Sequence, residues 1–221
     1  IGELDSYLQE QRKGAEIQIC GKIIKAEYSP NGKLVVLNRG INGSGLWTCK
    51  VCGFVKEFPN DPKHKNKFGH DCPNNHLSNV SLGHIFATDI LRIELPYHIG
   101  RFDHAGKDTR LSVLYAVLDG ASDELGVARS DINGCIDYEH GNTAMILYDE
   151  SAGGAGHVKR IFDHMESVFS AALKRVNGEC GCSEETSCYG CLRNYGNQFD
   201  HDKLVRGGAK EYLSWLLYGI D

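Results

Sequence analysis

The sequence has 221 residues, of which 41% are hydrophobic, and its formal net charge is -5. This apolar fraction is ordinary for a protein with a buried core, and the acidic balance excludes a uniformly basic duplex-binding protein. No run approaches the roughly 18 consecutive apolar residues of a membrane span, and no basic-then-apolar leader opens the chain. We therefore expect a cytoplasmic protein without a membrane partner, in which any contact with nucleic acid is local.

The chain begins with Ile1 rather than Met. This start favours a piece of a longer polypeptide. Catalytic residues of the parent protein would then lie elsewhere, so their absence here would say nothing about the activity of the parent.

Two apolar stretches in the first forty residues predict strands, Glu16–Lys25 and Lys33–Asn38. Ser29-Pro30-Asn31-Gly32 lies between them and is typical of a turn, which predicts a hairpin. From Leu46 to about Ser78 the chain is polar and contains a first group of cysteines. We expect residues 1–80 to form N-terminal strands and a zinc-knuckle loop that cannot bury a core by itself.

Alternation and helical spacing predict the elements that follow residue 80. Phe86–Leu95 is a predicted strand, and the spacing of apolar residues from Arg110 to Gly126 is typical of one helix face. Ile132–Tyr138 and Thr143–Tyr148 predict a hairpin whose turn lies at residues 139–142.

Two further helices are predicted, from Gly156 to Val176 and from about Asp202 to Tyr218. A second group of cysteines lies between them. The sequence therefore predicts an α+β fold, a small mixed or antiparallel sheet packed by about three helices with zinc-stapled loops. We expect residues 81–221 to form the second domain.

Four of the nine cysteines lie within twelve residues in the pattern C-x-C-x5-C-x2-C. We call them the late cluster: Cys180, Cys182, Cys188 and Cys191. Disulfides are rare in reducing compartments, so this spacing predicts one tetrahedral Zn2+ site with Zn–S bonds of about 2.3 Å. Four protein ligands leave no position for substrate, so this zinc would be structural. The alternative is four free thiols in the core.

A first cluster contains three cysteines, Cys49, Cys52 and Cys72. A tetrahedral site needs a fourth ligand, and three histidines qualify: His64, His70 and His76. Gly53 and Pro73 follow cysteines as in the tight turns of zinc knuckles, which favours a Cys3His site over no site.

A glycine-rich turn, residues 151–156, joins a predicted strand to the longest predicted helix. Backbone N–H groups in such a turn can hold a phosphate, but the run matches neither G-x-G-x-x-G nor a Walker loop. Tight packing of the helix on the sheet is the favoured interpretation. Asp149, Glu150 and His157 around this turn could instead bind a catalytic cation in a nuclease.

Basic residues gather near each cluster in an otherwise acidic chain. Aromatic side chains among cations can stack on unpaired bases while the cations meet phosphates. A solvated basic face is the alternative interpretation. The candidate nucleic-acid contacts after the late cluster are Arg193, Tyr195, Lys203 and Arg206.

The late cluster and its surroundings resemble the MrfA-type zinc-binding domain, formerly a domain of unknown function. Segments upstream, residues 82–91 and 114–122, look like the strand and helix of the same family. The segments that carry the resemblance are SAGGAGH at 151–157, CGC at 180–182 and SCYGCLRNYGNQ at 187–198, with His201, Leu204 and Arg206.

The family lies C-terminal to superfamily 2 DEAD/DEAH-box helicase cores and in the DrmB protein of the DISARM anti-phage system. The resemblance implies that the late cluster binds zinc and that His64 completes the first cluster. It also implies roles in DNA repair or antiviral defence, with DNA and a helicase core or partner subunit as partners. The chain has no Walker A, D-E-x-H box or helicase arginine motif, so ATP hydrolysis would belong to the parent.

Three hypotheses follow from these observations. The leading one is an accessory zinc domain of a prokaryotic DNA helicase or phage-defence protein, which helps the parent engage DNA or a partner subunit. The second is a protein-interaction scaffold with purely structural zinc, and the third is a metal-dependent nuclease. We assign no catalytic residue and no cofactor other than Zn2+.

Overall fold

The computed structural model describes residues 2–7, 13–38, 40, 43–57, 61–96, 99–138 and 143–219. The chain divides into two compact units, one of residues 1–7 and 33–86 and one of residues 8–32 and 87–221. No helix among the described residues is long and apolar enough to cross a membrane.

Nine strands form two sheets within the described residues. Their bounds are β1 Gly2–Tyr7, β2 Lys13–Ile19, β3 Lys22–Asn38, β4 Leu46–Thr48, β5 Val55–Lys56, β6 Ser78–Val80, β7 Leu82–Glu94, β8 Ile132–Asp137 and β9 Ala144–Asp149. The larger sheet has the order β1-β3-β7-β9-β8 with β2 also paired to β3, and the smaller has the order β5-β4-β6. Every strand pair with a described register is antiparallel.

Four α-helices lie in the same described part of the chain, α1 Thr109–Leu125, α2 His157–Asp163, α3 Met165–Val176 and α4 Arg206–Tyr218. Helices α1, α3 and α4 pack on one another, and α1 also packs on β8. The predicted α+β fold with an antiparallel sheet and three packing helices is therefore confirmed.

The predicted N-terminal hairpin is wrong in the position of its turn. The chain reverses at Cys20–Gly21, and the predicted turn sequence lies inside the long strand β3. Gly32 is required there because a Cβ at this position would lie 2.4 Å from the Ile90 side chain. Asn31 adopts a positive φ of 55° and its N–H donates to Asp89 Oδ1 at 3.3 Å. Gly32 therefore leaves room for the Ile90 side chain, and Asn31 adopts the local distortion of the strand.

The hairpin of β8 and β9 is confirmed, with Ile132 opposite Asp149 and Asp137 opposite Ala144. The turn predicted at residues 139–142 lies outside the described residues. Strand β7 pairs with the other edge of β9, from Ile90 opposite Tyr148 to Glu94 opposite Ala144.

The predicted helix at 110–126 is confirmed as α1, with Asp108 as its N-cap and Gly126 ending it at a positive φ of 62°. The single helix predicted at 156–176 is wrong, because the chain leaves helical geometry at His164 and forms α2 and α3. The last helix begins at Arg206 rather than near Asp202, since residues 195–203 form a 3-10 helix.

The core of the second unit depends on a close approach of α1 and α3. A Cβ at Gly120 would lie 2.5 Å from the backbone nitrogen of Ala172 and 2.9 Å from the carbonyl oxygen of Val168. Buried side chains surround this contact, among them Val117, Ala121 and Phe169. The glycine therefore sets the spacing of the two helices.

We expect Gly120→Ala to lower the free energy of unfolding by about 1–3 kcal/mol, because the added methyl meets rigid backbone. In an unconstrained helix the same change would stabilise by about 1 kcal/mol. Chemical denaturation measures the difference, with Glu124→Ala on the exposed side of α1 as the control. A Gly120→Ala protein as stable as the starting chain would contradict this packing.

Candidate metal centres

The late cluster lies between α3 and α4, and the structure brings its four sulfur atoms together. All four Sγ atoms lie within 4.8 Å of one another. Cys182 Sγ lies 3.5 Å from Cys180 Sγ and 3.8 Å from Cys191 Sγ, and Cys188 Sγ lies 3.9 Å from Cys191 Sγ. Tetrahedral zinc with bonds of about 2.3 Å places its sulfur ligands about 3.8 Å apart. The residues therefore fit one zinc ion.

The backbone between Cys188 and Cys191 forms a tight turn that directs N–H groups at sulfur. The N–H groups of Leu192 and Arg193 donate to the Cys188 carbonyl oxygen at 3.1 and 3.0 Å. The Gly190 N–H donates to Cys188 Sγ at 3.3 Å. A Cβ at Gly190 would lie 2.9 Å from the Cys180 Cβ, so the two halves of the cluster meet only because this residue is glycine.

Hydrogen bonding in the late cluster favours thiolate at one position. The backbone N–H of Cys182, together with the neighbouring sulfurs, lowers the pKa of Cys180 to about 7 against the opposing effect of burial. Burial raises the pKa of Cys191. Four thiols this close cannot all ionise without a cation among them, because like charges repel. The donor set therefore calls for a bound metal.

Arg206 is buried beside the late cluster, with only 5% of its surface exposed, and hydrogen-bonds to the backbone around it. Its Nη1 donates to the Val176 carbonyl oxygen and its Nη2 to the Cys182 carbonyl oxygen, both at 3.0 Å. One guanidinium thus ties the end of α3 and the cysteine loop to the start of α4. Sequence reasoning placed Arg206 among nucleic-acid contacts, since neither burial nor these carbonyl partners are visible in a motif.

The first cluster also converges, and the fourth group is His64. Its imidazole and the sulfurs of Cys49, Cys52 and Cys72 all lie within 4.8 Å of one another. Cys49 Sγ lies 3.8 Å from Cys72 Sγ, and His64 Nε2 lies 3.2 Å from Cys52 Sγ. His70 and His76 are exposed and outside this group. The residues fit a Cys3His zinc site.

Neighbouring groups orient the His64 ring. Its Nδ1–H donates to the Pro62 carbonyl oxygen at 2.8 Å, which leaves Nε2 with its lone pair toward the sulfurs. Phe54 stacks on the imidazole with ring centroids 4.7 Å apart. A zinc-binding histidine ordinarily has both a fixed tautomer and a packed ring.

Asn74 is a supporting residue that sequence reasoning missed. Its Nδ2 donates to Cys49 Sγ at 3.2 Å. Burial acts to raise the pKa of Cys49, but the hydrogen bonds from the Cys52 backbone and from Asn74 lower it to about 6. An amide two residues after the third cysteine is a weak sequence signal, because Asn is common in turns.

A buried carboxylate occupies N–H groups at the end of the glycine-rich turn and at the start of α2. Asp149 is fully buried, and its carboxylate accepts from the backbone N–H groups of Ala155, His157 and Val158 at 2.6, 3.1 and 2.9 Å. These donors are therefore occupied by a side chain of the same chain, which favours the packing interpretation over phosphate binding.

The nuclease hypothesis finds no cation site at this turn. Glu150 accepts from Asn133 Nδ2 at 2.6 Å, and His157 Nε2 lies 4.0 Å from Asp131 Oδ2. In the part of the chain that the structure describes, the two cysteine clusters are the groups suited to a metal.

The remaining candidate nucleic-acid contacts lie on or near the surface beside the late cluster. Tyr195 is 83% exposed. Lys203 Nζ lies 2.8 Å from Asp200 Oδ1 at the surface. Arg193 donates to Ser187 Oγ at 3.0 Å, so its guanidinium is held in one orientation.

We expect Cys188→Ser to lower zinc content from two ions per chain to one and to unfold the region around α3 and α4. Loss of a structural metal belongs to the substitutions that destabilise by more than about 4 kcal/mol. Elemental analysis and thermal melting measure both effects. Cys20→Ser, at an exposed cysteine outside both clusters, is the control and should change neither.

We expect His64→Ala to remove zinc from the first cluster, while His70→Ala and His76→Ala leave two ions bound. The reason is that only His64 among these three places a ring nitrogen beside the sulfurs. Zinc stoichiometry of the three variants decides the question. Equal zinc content in His64→Ala and His70→Ala would contradict the assignment.

Comparison with known proteins gives two sequence matches. Residues 113–192 match the family model of the MrfA Zn-binding domain, a segment that includes the whole late cluster. The Druantia protein DruE of Escherichia coli strain UMEA 4076-1 is 26% identical over 90% of this chain. The chain spans 12% of the length of DruE.

Two crystal structures of the helicase MrfA are similar to this chain. The structure of MrfA bound to DNA aligns over 98% of the chain with a TM-score of 0.58 at 13% identity, and the chain spans 24% of its length. A second MrfA structure aligns over 96% with a TM-score of 0.44 at 17% identity. The first likeness establishes the fold. Zinc is the cofactor that the two groups of side chains suit, and residues 113–192 match the MrfA Zn-binding domain, in agreement with the resemblance seen in the sequence.

Proposed function

We propose that this chain is the accessory zinc domain of a prokaryotic DNA helicase or phage-defence protein, where it helps the parent engage DNA or a partner subunit. The observation that carries the proposal is the MrfA Zn-binding domain at residues 113–192 in a chain without helicase motor motifs. The likenesses to MrfA and to DruE support a parent of one of these two kinds. ATP hydrolysis, DNA repair or defence would then be properties of the parent.

We assign the zinc ligands to the two groups of converging side chains. Cys180, Cys182, Cys188 and Cys191 would hold one ion, and Cys49, Cys52, His64 and Cys72 the other. Four protein ligands close the coordination sphere, so zinc supplies structural rigidity here and no Lewis-acid chemistry. A cytoplasmic parent agrees with this chemistry, because reducing conditions keep cysteines available as metal ligands.

DNA engagement would use cations and aromatic rings that the late cluster holds in place. Arg193 and Tyr189 lie on the cysteine turn itself, and Tyr195 and Lys203 belong to the following 3-10 helix. Arg206 is left out because its guanidinium is buried. A local group of this kind is how a chain with net charge -5 can contact phosphates.

Exposed apolar side chains in the first unit favour a second contact, with protein. Phe68 on the first zinc loop is 72% exposed. An exposed patch of apolar side chains often marks the surface that a partner protein covers. The other large apolar side chains exposed in this unit are Val51, Val55, Leu82 and Ile85. The helicase core or a partner subunit is the partner that we propose for this unit.

The DNA role predicts that the zinc-loaded chain binds DNA at low salt with micromolar affinity that falls as salt rises. Electrophoretic mobility shift with single-stranded and duplex DNA measures it. Chelator-treated chain should lose binding, because the cations sit on metal-held turns. No binding to either DNA would overturn this half of the proposal, and a nuclease-resistant complex with the isolated motor core would then favour the protein-interaction role.

A further inference from the structure

A cavity beside the late cluster is formed by side chains from four parts of the second unit: α1, the turn at Arg129, α3 and residues 189–195. Its volume is about 340 Å³, within the range of small-ligand sites. Helix α1 contributes Asp119 and Asp123, α3 contributes Arg175, and the cysteine turn contributes Tyr189 and Arg193. Ser122, Arg129, Asn194 and Tyr195 complete the polar and aromatic lining.

The charges of this cavity do not cancel. Arg129 Nε donates to Asp119 Oδ1 at 2.8 Å, and Arg175 Nη1 lies 3.4 Å from Asp123 Oδ2. Within each pair the arginine charge is neutralised by the aspartate charge. Among the described residues Arg193 has no carboxylate within ion-pair distance, so it provides the uncompensated positive charge.

Among the described residues, hydrogen bonds fix the orientation of the Arg193 guanidinium and leave one of its nitrogen atoms free. Its Nε donates to Ser187 Oγ at 3.0 Å, and its Nη2 donates to Thr186 Oγ1 at 3.3 Å and to the His201 carbonyl oxygen at 3.4 Å. Its Nη1 donates to no acceptor in the described part of the chain. A guanidinium fixed on one side and open on the other is suited to an anionic oxygen such as that of a phosphate.

Two buried N–H donors of the lining also lack acceptors. Arg175 Nε and Asn194 Nδ2 are each shielded from solvent without a hydrogen-bond partner among the described residues. Both atoms are closed to solvent, so they belong to the packed wall of the cavity and do not face its open space. The charge of Arg193 therefore carries the case for an anionic ligand.

The aromatic side chains narrow the class of ligand. Tyr195 is 83% exposed and Tyr189 is 68% exposed, although both line the cavity. A tyrosine face left open beside a phosphate-binding arginine is the arrangement by which proteins stack unpaired bases. Paired bases within a duplex do not offer a face to such a ring, which favours a single strand.

We propose that this cavity binds one unpaired nucleotide of single-stranded DNA, with its phosphate on Arg193 and its base against Tyr195. The proposal rests on the DNA role of the domain and adds the site and the preference for unpaired strands. Because Arg193 N donates to the Cys188 carbonyl oxygen at 3.0 Å, zinc would position the site without touching DNA.

Fluorescence anisotropy of labelled oligothymidylate and of a labelled duplex, with the zinc-loaded 221-residue chain, tests this site. Tyr195→Ala should weaken oligothymidylate binding by roughly tenfold, since one stacked base is lost. Phe199→Ala is the matched control, because Phe199 is 86% exposed but does not line the cavity. Its affinity should stay that of the starting chain.

Salt titration tests the phosphate contact separately. Arg193→Gln should reduce the slope of log affinity against log salt by about 0.7, the value for one single-strand phosphate. Lys25→Gln, at an exposed lysine on β3 away from the cavity, should leave the slope unchanged. Zinc content of Arg193→Gln is measured in parallel, and Tyr195→Ala decides the question if that variant loses metal.

The outcomes separate this proposal from the broader one. If the chain binds DNA but Tyr195→Ala and Phe199→Ala bind oligothymidylate equally, the nucleotide site is refuted and the DNA role stands. Equal or tighter binding of the duplex would likewise refute the single-strand preference. If the chain binds neither DNA, both proposals fall together.

Discussion

The convergence of the four late sulfurs is the constraint on which the second unit depends. The polypeptide between α3 and α4 has few apolar side chains of its own, and a glycine at 190 lets its two halves touch. Arg206 adds hydrogen bonds to the Val176 carbonyl oxygen at the end of α3 and to the Cys182 carbonyl oxygen within the cluster. Without a cation the thiolates would repel one another, so metal binding would be coupled to the folding of this region.

Several buried polar groups elsewhere in the second unit are also paired with hydrogen-bond or ion-pair partners. Asp149 places a carboxylate at the start of α2, where it accepts from one backbone N–H group of the glycine-rich turn and from the first two of α2. In the cavity lined by α1 and α3, each of Asp119 and Asp123 pairs with an arginine. Arg193 is the exception, because no carboxylate among the described residues lies within ion-pair distance of it.

The differences between prediction and structure have identifiable causes. Ser29-Pro30-Asn31-Gly32 has the composition of a turn, yet Gly32 is needed where Ile90 packs over β3. Apolar spacing continues through His164 although the helix breaks there, because the side chains on both sides of the break face the same core. Local composition limits the backbone conformations that a segment can adopt, and tertiary packing determines which of them is formed.

The sequence by itself determined the zinc chemistry, the helix α1 and the hairpin of β8 and β9, because cysteine spacing and hydrophobic periodicity are local properties. Only the tertiary structure decided which of three histidines meets the first cluster. It also decided that Arg206 is buried and that Asp119, Arg175 and Arg193 share one cavity. Those outcomes depend on contacts between residues far apart in the chain, which spacing along the sequence does not encode.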